Sequence, residues 1–183
     1  VLEGAALALE RQARALFRAP RQRDAHTGGF LERAGDLSAV ADLVLAFVES
    51  SWKRVRDVDA TLNDLSRLSR VPPGPTRAHY ARWRAEALRH RGDFVEARQL
   101  ADEARQAFAS LSDKTNEAHC LRLLGHVYSE QAAPGGRDLV AQALAIFEAE
   151  GDASGRAECE VVLGEIDYLL GDYDRARVEL DTA

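Results

Sequence analysis

Apolar residues recur along the chain at the spacing of α-helices, and short polar breaks separate the helical runs. Residues 76–91 are rich in Ala, Arg and Leu and include no helix breaker. Residues 94–108 place apolar side chains at helical spacing, at Val95, Leu100, Ala104 and Phe108. These two runs predict a pair of helices joined by a short turn.

The turn between the two runs is Gly92-Asp93, and the same dipeptide recurs as Gly35-Asp36 and Gly171-Asp172. Glycine can adopt the left-handed conformation that ends a helix. Aspartate can accept a hydrogen bond from the free amides at the start of the next helix. Each Gly-Asp pair therefore predicts the end of one helix and the beginning of another.

The chain also repeats itself at an interval near forty residues. A shift of 39 residues aligns residues 112–128 with residues 151–167 and superimposes identical residues, namely Ala118 on Ala157, Cys120 on Cys159, Leu124 on Leu163 and Gly125 on Gly164. A weaker third copy begins at Arg77. Because periods of about 20 to 50 residues are typical of stacked repeat proteins, the pattern predicts a solenoid.

Residues 121–128, Leu-Arg-Leu-Leu-Gly-His-Val-Tyr, resemble the signature of the tetratricopeptide repeat family, which is a bulky residue, then Leu-Gly, then Tyr. Ala97 and Ala176 match the small residues of the family's second helix. The spacing is similar to that of the longer variety, known from bacterial signalling ATPases, transcription regulators and kinesin light chains. The resemblance implies an all-α fold of antiparallel helical hairpins stacked into a right-handed solenoid.

Three repeats are predicted, at about 76–113, 114–152 and 153–183, and the last of them is truncated. Gly125 and Gly164 are expected to let paired helices approach closely. The copies depart from the family pattern at Ala81, Arg84, Ala85, Leu88, Gly136 and Asp167. Asp167 stands where the family has Tyr, and Tyr168 follows one residue late.

Residues 1–71 fit the repeat only in part and are interpreted as degenerate helical repeats. Apolar spacing allows one long helix over about 37–70, or two helices that meet near Ser50-Ser51. Residues 71–75, Val-Pro-Pro-Gly-Pro, break any helix and mark the boundary with the regular array. Trp52 and Trp83 are expected in the core, since large aromatic residues at helical spacing are usually buried.

Composition and charge restrict the function classes. The chain has 183 residues and a net charge of −6, and residues 1–75 carry 11 basic against 10 acidic side chains, so the acidic excess lies downstream. An acidic array argues against nucleic acid as a partner. No apolar run is long enough to span a membrane and no leader pattern is present, so we expect a cytoplasmic protein. The chain lacks Met and ends within a predicted helix, which suggests a fragment, and its 22 Arg against 2 Lys suggest a bacterial, GC-rich genome.

No catalytic, metal or cofactor constellation is predicted. His119 and His126 are two helical turns apart, roughly 10 Å, which is too far for one zinc ion. Cys120 is next to His119 in a helix, where neighbouring side chains do not face each other. Gly28-Gly29 and Gly135-Gly136 lack the Lys-Ser or Lys-Thr of a phosphate-binding loop and are interpreted as turns.

By resemblance to the family, the first helices of the repeats line a concave groove that binds a protein or peptide. The groove-facing residues would be His79, Arg82, Glu86, Arg89, His119, Arg122, His126, Ser129, Glu158, Glu165 and Tyr168. The sequence therefore predicts a non-catalytic scaffold, part of a larger regulatory protein, whose partner is another protein, a peptide or a neighbouring domain. The alternatives are a sensor or autoinhibitory module of a signalling ATPase, kinase or transcription regulator, and, less favoured, an enzyme.

Overall fold

A computed structural model describes residues 41–42, 44–46, 48–49, 52, 56–66 and 74–182 of the chain. Over these residues the protein is all helical, and no strand occurs among them. Residues 41–42, 44–46, 48–49 and 52 are helical. The helices that follow are α1 (Val58–Ser66), α2 (Pro75–Arg91), α3 (Phe94–Ser110), α4 (Lys114–Glu130), α5 (Gly136–Glu150), α6 (Ala153–Leu169) and α7 (Tyr173–Thr182).

The predicted joints at Gly92 and Gly171 are confirmed. Gly92 has a φ of 89° and its amide donates a hydrogen bond to the Arg89 carbonyl at 3.0 Å, which closes α2. Gly171 has a φ of 82°, again in the left-handed region where glycine is favoured. The third predicted joint, Gly35-Asp36, lies outside the described residues.

An aspartate directly precedes each of α3, α4, α6 and α7, and the side chains of three of these four aspartates cap the helix that follows. Side chains of Asp113, Asp152 and Asp172 accept hydrogen bonds from backbone amides three residues later. Asp93 makes no such bond, because its carboxylate pairs with the Arg91 guanidinium. Asp93 therefore caps α3 only through its backbone carbonyl, which accepts from Ala97.

Each helix from α1 to α7 packs against its neighbours along the chain, and α4 also touches both α2 and α6. The core between them combines small and large apolar residues. Ala97, Ala101 and Ala104 are fully buried on α3, and Phe108 and Phe147 are the largest fully buried side chains. Burial of each phenylalanine contributes about 2 to 3 kcal/mol to the free energy of folding, and the alanines allow the helices that carry them to approach one another.

Two helices approach closely at Gly125, as the sequence predicts. A Cβ atom at this position would lie 2.4 Å from Val140 Cγ2 and 2.6 Å from the Gly136 carbonyl oxygen. Val140 and Gly136 both belong to α5. Because Gly125 has no side chain, the backbone of α4 can lie directly against Val140 and the Gly136 carbonyl of α5.

Asp167 is one of the residues that depart from the tetratricopeptide pattern. It lies buried on α6, with 1% of its surface exposed. Arg137 at the start of α5 holds its carboxylate, with Nε 2.9 Å from Oδ1. Arg137 also contacts Glu179 of α7 at 3.3 Å. A charged cluster at this position thus joins α5, α6 and α7.

The described residues do not form a single continuous helix over 37–70. Arg56 and Asp57 are not helical, and Arg56 has a φ of 47°. The Asp57 side chain accepts a hydrogen bond from the Ala60 amide and so caps the start of α1. The break that the structure describes is the cap at Asp57, whereas Ser50 and Ser51, where the other predicted junction would lie, are outside the described residues. The outer parts of this range, residues 37–40 and 67–70, lie outside the described residues.

Trp52 and Trp83 are core residues, as predicted. Each has 6% of its surface exposed, and both pack in one cluster with Val48, Leu65 and Tyr80. Among the helices that the structure describes, none combines the length and hydropathy needed to cross a bilayer.

Candidate binding surface on the first helices

We call α2, α4 and α6 the first helices, since each is the first helix of a predicted repeat. The candidate residues on α2 and α4 follow a spacing of three, four and three, which places them on one side of each helix. We call the side of the first helices that carries them the polar face, comprising His79, Arg82, Glu86, Arg89, His119, Arg122, His126, Ser129, Glu158, Glu165 and Tyr168.

Ion pairs join α2 to α4 across the polar face. The Glu86 carboxylate lies 3.3 Å from Arg89 Nη2 and 3.9 Å from Arg122 Nη2. Arg89 Nη1 in turn donates a hydrogen bond to Glu130 Oε1 at 2.9 Å. The structure therefore brings Glu86, Arg89 and Arg122 together, of which the helical spacing predicts only that Glu86 and Arg89 share one side of α2.

A second set of contacts joins α4 to α6. Glu158 Oε2 lies 3.3 Å from Arg122 Nε and 3.9 Å from His119 Nδ1. His126 Nε2 lies 3.1 Å from Glu165 Oε2. Because Arg122 contacts carboxylates of both α2 and α6, it links the three first helices into one network.

Four predicted residues stand apart from this network. His79 packs edge-on against Phe108, and the Arg82 guanidinium lies 4.3 Å from the centre of the Trp83 ring. Ser129 lies beside Gly136 at the start of α5. Tyr168 is 62% exposed and packs against Tyr173, within an exposed apolar group that also includes Leu169 and Leu170.

Two network residues were not predicted. Glu130 accepts a hydrogen bond from Arg89, and His90 Nε2 lies 3.5 Å from Glu86 Oε1. Each stands four residues after a predicted residue, Glu130 after His126 and His90 after Glu86. The i, i+4 rule for helix faces was therefore a signal that could have found both.

Much of the polar face is withdrawn from water. Glu86 and Arg89 are buried, with 9% and 7% of their surfaces exposed. Burial alone would raise the pKa of Glu86, but the contact with His90 and the charges of Arg122 and Arg89 hold the pKa well below its usual range. Glu86 is thus a buried carboxylate that its cationic neighbours keep ionised.

The histidines of α4 are uncharged at neutral pH. Burial, together with the charges of Arg82 and Arg122, lowers the pKa of His119 to about 3. Burial and the charge of Arg89 lower the pKa of His126 to about 4. The positive charge of the polar face therefore comes from its arginines, and the imidazoles contribute hydrogen-bonding nitrogens.

Several nitrogen atoms of the polar face are buried without a hydrogen-bond partner among the described residues. They are the Nε atoms of Arg82, Arg89 and Arg122 and the Nδ1 atoms of His119 and His126. Arg122 Nε is near Glu158 but is not positioned to donate a hydrogen bond to it. Unpaired buried polar atoms cost about 1 to 3 kcal/mol each, so this concentration of them on one face is a feature that needs a cause.

Other candidate chemistry is not supported by the surroundings of its residues. Cys120 and Cys159 are fully buried, and burial raises the pKa of each thiol to about 12, so neither is a thiolate nucleophile at neutral pH. Over the ranges that the structure describes, no cluster of three or more His, Cys, Asp or Glu residues is arranged to hold a metal ion.

A concave feature on another part of the described surface, which we call the outer groove, lies between α3, α4 and α5. It is an open groove of about 650 Å³, and its lining includes Arg98, Gln99, Asp102, Arg105, Leu124 and Tyr128. Arg105 is paired with Asp102 there at 2.9 Å. The outer groove shares none of the residues of the polar face and is its rival as a binding site.

A scan against known protein families finds no family that matches the chain, and a search of characterised proteins finds no significant relative.

Proposed function

We propose that this chain is a tetratricopeptide-like segment of a larger regulatory protein and acts as a non-catalytic scaffold. In this proposal its hairpins stack into a right-handed solenoid, and the polar face lines the concave groove. The groove binds a protein or peptide, which is either a separate molecule or another part of the parent protein.

The observation that carries the proposal is the set of buried nitrogen atoms without partners on the polar face. On a solvated helix surface, water satisfies such donors and acceptors at no cost. Here Arg89 and Glu86 of α2 are almost as buried as core residues, although both belong to the polar face. These nitrogens are themselves covered by neighbouring atoms, so in this proposal their side chains turn towards a polar ligand, which then supplies the missing hydrogen bonds.

The distribution of charge supports a ligand that lies across the first helices in one direction. Arginines of the polar face, Arg82, Arg89 and Arg122, lie on α2 and α4, whereas Glu158 and Glu165 lie on α6. Complementary charge steers association and fixes the register of a partner more than it raises affinity. We therefore expect a partner segment with unlike ends, acidic towards α2 and basic towards α6.

Peptides selected from a display library against this chain provide the test. Replacing Arg82, His119 and Arg122 together with alanine is expected to weaken their binding at least about tenfold, since each removed charged hydrogen bond contributes roughly 1.5 to 3 kcal/mol. The matched control replaces Arg98, Gln99 and Arg105 of the outer groove with alanine, and we expect affinity within about twofold of the unchanged chain. Binding is measured by calorimetry, with helicity and the melting temperature checked by circular dichroism.

The reverse result would contradict the proposal. If the control variant lost binding and the polar-face variant kept it, the outer groove would be the binding site. If neither variant lost binding, the ligand would contact another surface, such as the exposed apolar residues around Tyr168.

A further inference from the structure

The sequence repeats one short pattern on the polar face, His-x-x-Arg, as His79 to Arg82 on α2 and as His119 to Arg122 on α4. The two copies also share their packing. The His79 ring meets Phe108 edge-on at 4.9 Å, and the His119 ring meets Phe147 in the same way at 4.8 Å.

The third first helix does not carry this pattern. At the positions on α6 that match His119 and Arg122, the chain has Glu158 and Val161. The two arginines therefore define a site at the α2 and α4 end of the polar face.

Among the described residues no carboxylate lies within ion-pair distance of Arg82, although the charges of Glu49 and Glu86 act on it from farther away. Its guanidinium lies over the indole of Trp83, which is itself buried. Stacking on an aromatic ring uses the flat side of the guanidinium and leaves its N–H groups in the plane of the fork, where they match a carboxylate or a phosphate. The buried Nε atom of Arg82 has no acceptor.

Arg122 is incompletely satisfied as well. Its contacts are ion pairs of 3.3 Å to Glu158 and 3.9 Å to Glu86, and it donates no hydrogen bond to a described residue. Glu86 is shared with Arg89 and His90, and Glu158 is half exposed and shared with His119. Arg122 therefore shares both of its carboxylate partners with other side chains.

We propose that Arg82 and Arg122, together with His119, form a binding site for an anionic side chain of a peptide. This inference rests on the proposed function and names the class of its ligand, an acidic or phosphorylated peptide. Both kinds of anion present oxygen atoms in the arrangement that an arginine fork binds with paired hydrogen bonds. Glu158 lies 3.3 Å from Arg122, so the incoming anion takes the place of this half-exposed carboxylate at Arg122. Glu165 disfavours a further anion on α6.

The test uses three acetylated and amidated hexapeptides, which carry no terminal charge: hexaglutamate, hexaglutamine, and a hexaglutamine with one phosphoserine. Calorimetric titration of the chain is expected to show binding of hexaglutamate and the phosphoserine peptide, and at least about tenfold weaker binding of hexaglutamine. The stronger of the two anionic peptides identifies whether the site is built for carboxylate or for phosphate.

Two single variants locate the site, and a control variant removes the same positive charge from another surface. Arg82→Gln and Arg122→Gln are each expected to weaken the anionic peptides about tenfold, whereas Arg98→Gln on α3 leaves their affinity within about twofold. Circular dichroism verifies the fold of each variant. If Arg82→Gln proves unstable after the loss of its contact with Trp83, Arg122→Gln carries the test by itself.

The anion site is wrong if the two arginine variants bind anionic peptides as well as the Arg98 variant does, or if hexaglutamine binds equally. Such a result is distinguishable from failure of the proposed function. Library peptides that bind at the polar face without acidic or phosphorylated residues would overturn the anion site and leave the scaffold proposal standing.

Discussion

Replacing Glu86 with glutamine is expected to lower the free energy of unfolding by about 2 kcal/mol, because it removes a buried carboxylate that Arg89 and Arg122 share. Among the described residues each arginine then keeps a single carboxylate partner, Glu130 for Arg89 and Glu158 for Arg122. Glu86 contacts Arg89, His90 and Arg122 and has 9% of its surface exposed. The measurement is urea denaturation followed by circular dichroism. The matched control is Glu103→Gln on α3.

The control removes an ion pair of a different kind. Glu103 pairs with Arg77 at 3.5 Å, and half of its side chain is exposed. Exposed pairs contribute about 0 to 1 kcal/mol, so the control should be nearly neutral. If Glu86→Gln destabilised the chain no more than Glu103→Gln, the polar face would be an ordinary solvated surface.

The effect of Glu86 should also depend on pH in a definite direction. Because the pKa of Glu86 is depressed in the folded chain, its ionised form stabilises the fold above the ordinary value of 4.5. This contribution is lost as the pH falls below that value, where the unfolded chain takes up the proton first. The difference between the unchanged chain and the variant should therefore be constant from about pH 6 to 8 and shrink below about pH 4.5.

Replacing Gly125 with alanine is expected to destabilise the chain by about 2 to 3 kcal/mol, as overpacking against a fixed backbone does. A Cβ atom at Gly125 would lie 2.6 Å from the Gly136 carbonyl oxygen, and only separation of α4 from α5 can relieve that contact. For a chain of this length the melting temperature should fall by roughly 5 to 10 °C. Thermal unfolding followed by circular dichroism measures the change.

The equivalent glycine one repeat later provides the comparison. At Gly164 the nearest atom to an added Cβ would be Leu180 Cγ at 2.7 Å, on a side chain that is 48% exposed and near the end of α7. Leu180 can move, and alanine is favoured over glycine in a helix by about 1 kcal/mol. Gly164→Ala should therefore be nearly neutral. Equal destabilisation at both positions would contradict the close approach of α4 and α5.

The helical period was sufficient to predict which residues share the polar face. His119, Arg122 and His126 are separated by three and four residues, and this spacing alone places them on one side of α4. The sequence also predicted the close approach at Gly125, because a glycine within a helical run has few other uses. Both inferences depend on the geometry of a single helix, which the spacing of residues along the chain determines.

Other features depend on how separate helices meet, and the spacing of one helix does not contain that information. Glu86 lies on α2, and its burial depends on the contact between α2 and α4. The partner of Asp167 is Arg137, which stands 30 residues earlier in the sequence. The sequence marked Asp167 as a departure from the family pattern but gave no means of choosing its partner among many arginines.

The helix break at Asp57 was not predicted, for a different reason. Asp at a helix start is a strong local signal, and the Asp57 side chain does accept the Ala60 amide hydrogen bond. The apolar spacing from Val55 to Leu65 continues across the break without a shift, and that continuity concealed the cap. A periodic pattern shows which residues face the core, but it does not show that the helix is uninterrupted.

The proposed function requires that the polar face of the first helices is the binding surface. The most direct measurement is a nuclear magnetic resonance titration of the labelled chain with a library-selected peptide, following the imidazole signals of His79, His119 and His126 and the backbone amides. We expect the shifts to concentrate on these rings and on α2, α4 and α6. Shifts confined to α3 and α5, around the outer groove, with the three imidazole signals unmoved, would contradict the claim.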